Sequence, residues 1–364
     1  MKMTPGSSND GGIEISDNDR FEAAPPEEIP PEILSRRICD FKLRIEGGPL
    51  EAIIVRFQKE LSECGITKLK PQFYLSDEWG VMDGSVAIAL PFYLADDKLR
   101  RIQERKAGLV EGIDAEDILR YLRHEMGHVV NYAYMLYETE PWIGLFGPMA
   151  RPYADEYRSV PFSPDFVRHL PGNYAQKHPD DDWAETFAVW MTPGHAWKNL
   201  YEDAPGALRK LHFCEKTIAS LQDREPAVTN VNLDGKVDDL LVTLQDFYGG
   251  VELEGLSIPR SLDGDLRGIF APWAGIERTL TKMRLGSGAA LLSRNRDMLA
   301  NAVYQWTGVE PELLGSLLTH LAVRAKDLGL SYPMSERDTV LVQISAFLST
   351  LAMNYVYKGN FFAS

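Results

Sequence analysis

Two histidines four residues apart can work as a pair only if the backbone between them is helical. In the run His124-Glu125-Met126-Gly127-His128, an α-helix would stack the two imidazoles one turn apart on a single face. With Glu125 beside them they form an H-E-x-x-H pattern, in which two imidazole nitrogens take one metal ion and the carboxylate handles a proton. The flanking residues meet the helical requirement. Asp114 suits the N-cap, Asp117 follows three residues later, and the acidic first turn matches the positive end of a helix. Ile118, Leu122, Val129 and Leu136 recur at helical spacing and give one apolar stripe. No proline lies between Asp114 and Leu136, and only Gly127 resists the helix, at about 1 kcal/mol relative to alanine. A glycine between the two histidines would let another backbone come close. The plain alternative is a surface helix whose two histidines are merely hydrogen-bonded.

A catalytic zinc needs a third protein ligand and an open position. The best source is the segment His178-Pro-Asp-Asp-Asp-Trp-Ala-Glu185-Thr-Phe-Ala-Val-Trp-Met191. Pro179 suits the first helical position and Asp180, Asp181 and Asp182 suit the helix start. Thr192-Pro193-Gly194 stops the helix, while Trp183, Phe187, Trp190 and Met191 form a core-packing face. Glu185 points off that face, one turn after Asp181 and Asp182 and next to the small Ala188, and is the expected third ligand. Asp181 or Asp182 is expected to fix a ligand histidine from behind, and either becomes the ligand if the helix is rotated.

These segments resemble a known family. Arg123 to His128 and Tyr174 to Met191 are similar to the bacterial zinc-binding metallopeptidases, a family known from a zincin-type motif and not from a substrate. Softer matches run from Ile38-Cys-Asp-Phe41, Leu75 to Trp79 and Ala87 to Ala95 through to Gln305-Trp-Thr-Gly308, Ser335 to Asp338 and Met353 to Gly359. The resemblance implies an α+β, mainly helical fold: a zincin-like catalytic domain with a small sheet and the HExxH helix, followed by a helical C-terminal domain. It further implies Zn2+ as cofactor and a peptide or protein as substrate. Better-known glutamate-zincins carry an aspartate four residues after the ligand glutamate. Position 189 here is valine, so the partner of a ligand histidine has to come from elsewhere. By resemblance, residues 86–92 would be the edge strand along which an extended peptide adds. An ordinary core strand ended by Pro91 fits the same residues.

The residue types set out a mechanism. Zinc on His124, His128 and Glu185 would acidify water and polarise a carbonyl, Glu125 would act as general base, and an oxyanion donor would come from Tyr174, His178 or Tyr157. Two other readings use the same residues: a regulatory or binding protein that zinc merely stabilises, and a small-molecule amide hydrolase with a closed pocket. The intact Glu125 favours hydrolysis, since a structural site has no need of a base there.

A net charge of −15 argues against a nucleic-acid backbone as partner and leans weakly toward a basic substrate. Three scattered cysteines offer neither a disulfide framework nor a CxxC metal pair. No signal-like or membrane-spanning run stands out, so a cytoplasmic protein without a membrane partner is expected. Residues 1–34 read as an acidic, proline-rich disordered arm; Asp17-Asn18-Asp19 lacks the glycine and glutamate of a calcium loop. Residues 35–248 would form the catalytic domain, and the break at Gly249-Gly250 would open a helical domain over 249–364. Helices are expected at 50–64, 114–136, 179–191, 205–222, 235–248, 266–272, 273–285, 286–308, 310–329 and 335–358, with strands at 71–75 and 86–90. His169, His195, His212 and His320 lack a partner at metal spacing and read as structural.

Overall fold

The computed structural model describes residues 29–107, 110–153, 160, 163–249, 262–270, 285–358 and 361, and the statements below concern these. The asparagine- and aspartate-rich start of the arm and most of the expected helix at 273–285 lie outside them. In the N-terminal two thirds the helices are α1 (Pro31–Leu34), α2 (Pro49–Glu63), α3 (Asp97–Ala107), α4 (Ala115–Tyr134), α5 (Glu140–Phe146), α6 (Pro179–Met191), α7 (Trp197–Leu200), α8 (Pro205–Leu221) and α9 (Leu244–Gly249). Two strands, β1 (Gln72–Ser76) and β2 (Ala87–Pro91), join them. Beyond residue 260 follow α10 (Leu262–Ile269), β3 (Leu285–Ser287), α11 (Gly288–Arg294), α12 (Arg296–Thr307), α13 (Pro311–Asp327), β4 (Ser331–Pro333) and α14 (Arg337–Lys358). The fold is mainly helical with little sheet, in keeping with an α+β class.

Local rules account for the elements that build the site. Helix α2 buries Leu50, Ile54, Phe57 and Leu61, the i, i+4, i+7, i+11 face of an amphipathic helix. Helix α4 starts at Asp114, whose carboxylate accepts from the Asp117 amide at 2.9 Å. Asp117 returns the favour, its carboxylate taking the Gly112 amide at 2.9 Å and the Ile113 amide at 3.2 Å. These are donors the first helical turn leaves orphaned or exposes just before it. Helix α6 opens with Pro179, capped by His178, whose ring accepts from the Asp180 amide.

Helices α4 and α6 cross at Gly127. A Cβ there would lie 2.6 Å from Ala184 Cα, so only glycine lets the two backbones touch, as the sequence suggested. Trp183 locks the crossing by donating its indole N–H to the Gly127 carbonyl at 2.8 Å. Leu122, Met126 and Val129 of α4, with Trp183 and Phe187 of α6, join one apolar core with α2 and β2.

Strands β1 and β2 pair in parallel, from Gln72↔Ala87 to Ser76↔Pro91. All five residues of β2 are buried, and Ala89 donates its amide to the Gly80 carbonyl at 2.9 Å. Of residues 86–92, Ala87–Pro91 form a strand with buried side chains, ended by proline, whose outer side meets Gly80 at one bridge.

A second apolar cluster joins α10 to α14 through Leu266, Leu299, Leu317, Leu321, Ile344 and Leu348. Here the structure departs from the sequence reading in detail. The helix expected at 286–308 is broken at Asn295, whose side chain donates to the Leu291 carbonyl at 2.6 Å and ends α11. The antiparallel pair β3–β4, three residues a side, is too short to show alternation. The helix expected at 235–248 shrinks to a 3-10 turn at Val237–Asp239 and to α9, which Thr243 starts afresh by accepting the Asp246 amide at 3.1 Å. Helix α14 is uncharged from Thr339 to Tyr357. By length and composition alone the segment Met334–Lys358 could cross a membrane, whereas the sequence reading expected no run of that kind. Its Val340, Ile344, Leu348, Leu351 and Ala352 pack into this second core.

Candidate metal centre

Three side-chain atoms converge where α4 meets α6. His124 Nε2 and His128 Nε2 lie 3.1 Å apart, and Asp181 Oδ1 stands 3.8 Å from the first and 3.7 Å from the second. Ligand atoms around a tetrahedral ion with bonds of about 2.0–2.1 Å are roughly 3.3–3.4 Å apart, so this triangle has the size that a zinc ion requires. These three residues form a buried group able to hold a metal.

The backs of both rings are fixed by carboxylates. His124 Nδ1 is 2.9 Å from Glu185 Oε1, and His128 Nδ1 is 2.8 Å from Asp180 Oδ2. An ionised carboxylate only accepts, so each Nδ1 carries the proton and each Nε2 turns a lone pair to the front. Two lone pairs 3.1 Å apart repel unless a proton or a metal cation lies between them. Asp181 Oδ2 is buried without a hydrogen-bond partner among the described residues, a further sign that this carboxylate is built for an ion. Without one, burial and the His128 charge push His124 down to about 3. Burial opposes a charge on His128 as well, yet Asp180 lifts it to about 10. Beyond the two Nδ1 protons the pair then carries one more, on His128, where a divalent cation would replace it.

The supporting carboxylates are themselves tied down. Glu185 is fully buried and accepts the amides of His169 at 3.1 Å and Leu170 at 2.9 Å. Asp180 accepts from Asn131 at 2.7 Å and from the Tyr132 hydroxyl at 2.5 Å. Asp182 faces away, onto Lys210 at 2.6 Å.

Of the three triangle residues, His124 also borders a cavity of about 170 Å³ whose wall includes Glu78, Glu111, Glu125, Tyr174 and Tyr304. Glu125 is 5% exposed, and burial pushes its carboxyl up to about 8. Tyr174 sets its ring edge-on to His124, with centroids 5.4 Å apart. Burial, and then Asp181, push its hydroxyl far up, so it stays protonated and able to donate. Lys177 Nζ stands 3.4 Å from that hydroxyl.

The structure thus brings His124, Glu125, His128 and Tyr174 to one place and redistributes the other expected residues. Glu185, expected as the third ligand, sits behind His124; Asp181, weighed as its alternative, occupies the front. Both lie on one face of α6, four residues apart, and helical periodicity cannot choose between them. His178, expected as an oxyanion donor, caps α6 with one nitrogen, and its Nε2 is 2.9 Å from the Arg151 carbonyl. With both nitrogens engaged, it does not reach the cavity. Tyr157 lies outside the described residues. The sequence reading gave Asp180 only a place at the helix start and assigned no role to Asn131 or Tyr132. The last two could have been found, since Asn131 and Tyr132 follow His128 by three and four residues on the same helix face.

Residues 77–201 match the profile of a family described as "Putative zinc-binding metallo-peptidase". That stretch holds the whole metal centre and leaves the C-terminal helices outside it. No curated protein and no solved structure matches the chain.

Proposed function

We propose that the protein is a zinc-dependent peptide-bond hydrolase with His124, His128 and Asp181 as its metal ligands and Glu125 as its general base. The observation that carries this reading is the triangle itself: three donor atoms at zinc spacing, two of them on rings backed by carboxylates, with His124 and Glu125 lining one cavity. A structural zinc would have a fourth protein ligand, and among the described residues only three converge. The similarity of residues 77–201 to a family described as zinc-binding peptidases supports the same reading.

Zinc held there supplies a Lewis acid that polarises a carbonyl and acidifies water. The remaining work falls to the chain. Glu185 and Asp180 hold the tautomers that aim both Nε2 lone pairs forward. A cation held by the triangle would offset the burial that raises the Glu125 carboxyl, so that Glu125 would be ionised at neutral pH and could accept the proton of an attacking water. It then returns that proton to the leaving amine. Tyr174 is placed to donate its hydroxyl to the oxyanion. The purified protein should carry about one zinc per chain by elemental analysis, as a single three-ligand site requires. Glu125→Gln should keep that zinc while hydrolysis of a peptide library falls by a factor of about 100 or more. A zinc-free protein, or a variant that cleaves as fast as the parent, would overturn the assignment.

A further inference from the structure

Tyr174 and Lys177 belong to one short turn, and the kind of turn decides how they meet. It runs from Leu170, whose amide holds Glu185 at 2.9 Å, to His178, which caps α6, so both of its ends are tied to the metal centre. Pro171–Gln176 is a 3-10 helix, closed by the Lys177 amide on the Tyr174 carbonyl at 3.0 Å. Side chains three residues apart eclipse in such a helix, which sets the lysine over the tyrosine. Its ammonium stands 3.4 Å from the Tyr174 hydroxyl and 4.9 Å from the ring centre. On its other side lies the ring of Tyr153, at 4.7 Å, so the charge is clasped between two aromatic rings. Tyr153 is 52% exposed and outside the cavity wall, whereas Tyr174 shares that wall with His124 and Glu125.

The donors and acceptors give this clasp a direction. An ammonium can only donate, so in the contact with Lys177 the Tyr174 oxygen is the acceptor. The proton of Tyr174 is then turned away from Lys177. Two places remain for it: the Tyr153 oxygen, 3.4 Å away, and an acceptor inside the cavity that Tyr174 and His124 line together. A hydroxyl whose oxygen accepts from a cation is also a stronger donor onward. We propose that Lys177 is a positioning residue for Tyr174, aiming and strengthening its O–H toward the oxyanion of the tetrahedral intermediate. The proposal deepens the hydrolytic reading and rests on it for that oxyanion.

The test is calorimetric titration of the zinc-loaded full chain with acetohydroxamate, a small zinc ligand whose carbonyl oxygen stands in for the oxyanion. Tyr174→Phe should weaken binding about tenfold, the loss of one hydrogen bond to a charged acceptor. Lys177→Met keeps a stem between the rings and removes the donor; it should weaken binding about threefold or more, with zinc content and melting temperature unchanged. Added to Tyr174→Phe, it should cost nothing further, because the lysine acts through the hydroxyl. Lys177→Arg, which retains a cationic donor, should recover most of the affinity. If Lys177→Met fails to fold, Lys177→Gln takes its place with the same expected loss. Losses that add in the double variant would mean that the lysine charge acts on the ligand directly, and parent-like binding by Lys177→Met would mean that the lysine only packs the turn. Either result overturns the positioning role and leaves the hydrolytic reading intact. A zinc-loaded protein that binds no hydroxamate has no open metal position, which overturns the hydrolytic reading and the positioning role together.

Discussion

The two apolar cores of this protein are built from the same kind of helix but bury different things. In the core around α4 and α6, Arg123, His124, Glu125, Asn131, Asp180, Asp181, Asp182, Glu185, Thr186 and Lys210 are all buried. In the core of α10 to α14, Thr307 is the one polar residue buried to that degree among those described. Burying ionisable groups costs several kcal/mol each unless they are paired or bind a metal. Such groups are therefore gathered where chemistry needs them, and the C-terminal helices keep the ordinary apolar solution. Some of the burial in the first core is closed by ion pairs: Arg123 with Glu60 at 2.8 Å and Lys210 with Asp182 at 2.6 Å. In the triangle of His124, His128 and Asp181, by contrast, Asp181 Oδ2 has no hydrogen-bond partner among the described residues.

The largest effect should come from breaking that triangle. Asp181→Ala is expected to abolish zinc binding, because it removes one of three ligands, whereas Glu185→Gln removes only a carboxylate behind His124. Loss of such a backing group typically lowers metal affinity by about 10–100-fold. Competition with a chromogenic chelator measures both. The opposite order, with Glu185→Gln losing more zinc than Asp181→Ala, would return the third-ligand role to Glu185.

A smaller effect separates the two cores by their glycines. Gly127→Ala would drive a methyl group to 2.6 Å from Ala184 Cα, a backbone atom. The α4–α6 crossing would have to open, at a cost of about 1–3 kcal/mol and a lower melting temperature. Gly315 in α13 meets only the Arg296 side chain, at 3.9 Å. Gly315→Ala should therefore stabilise by about 0.5–1 kcal/mol, the difference in helix propensity. If the two substitutions move the melting temperature alike, close approach at Gly127 is not what the glycine is for.

Much of the first core was legible in the sequence, because its signals are local. Asp114 caps α4, Pro179 starts α6, Gly127 marks the crossing, and His124 and His128 declare their spacing. What was not legible depends on rotation and distance. Asp181 and Glu185 share a helix face, so only the crossing angle of α6 on α4 decides which reaches the front. Glu78, Glu111 and Tyr304 come from separate elements that no motif links. In the second core the helices were largely anticipated, but the break at Asn295 was not, since a side chain capping its own helix looks like any helical asparagine until it turns inward. Helix α3 was missed for the opposite reason: among the described side chains of Asp97–Ala107, only Leu99 and Ile102 are buried and apolar, too few to mark a period.

The smallest expected effect concerns a histidine that supports the site without belonging to it. His169 gives its backbone amide to Glu185 and places its ring Nε2 2.9 Å from the Arg120 carbonyl. Burial, partly countered by Glu185, lowers its imidazole to about 4, against about 6.5 in an unfolded chain. The unfolded state therefore binds the proton more readily, and stability must fall as the solution is acidified. The contribution is fully present above about pH 6.5, where both states are neutral, and is lost as the pH drops toward 4. Carboxylates titrate over the lower part of that window too, so the informative quantity is a difference between proteins. His169→Gln keeps a donor for the Arg120 carbonyl and removes the titration, so its melting temperature should fall less than that of the parent between pH 6.5 and 4. Parallel curves for the two proteins would mean that the loop carrying His169 opens to admit the proton at no cost, and that the first core owes none of its acid sensitivity to this ring.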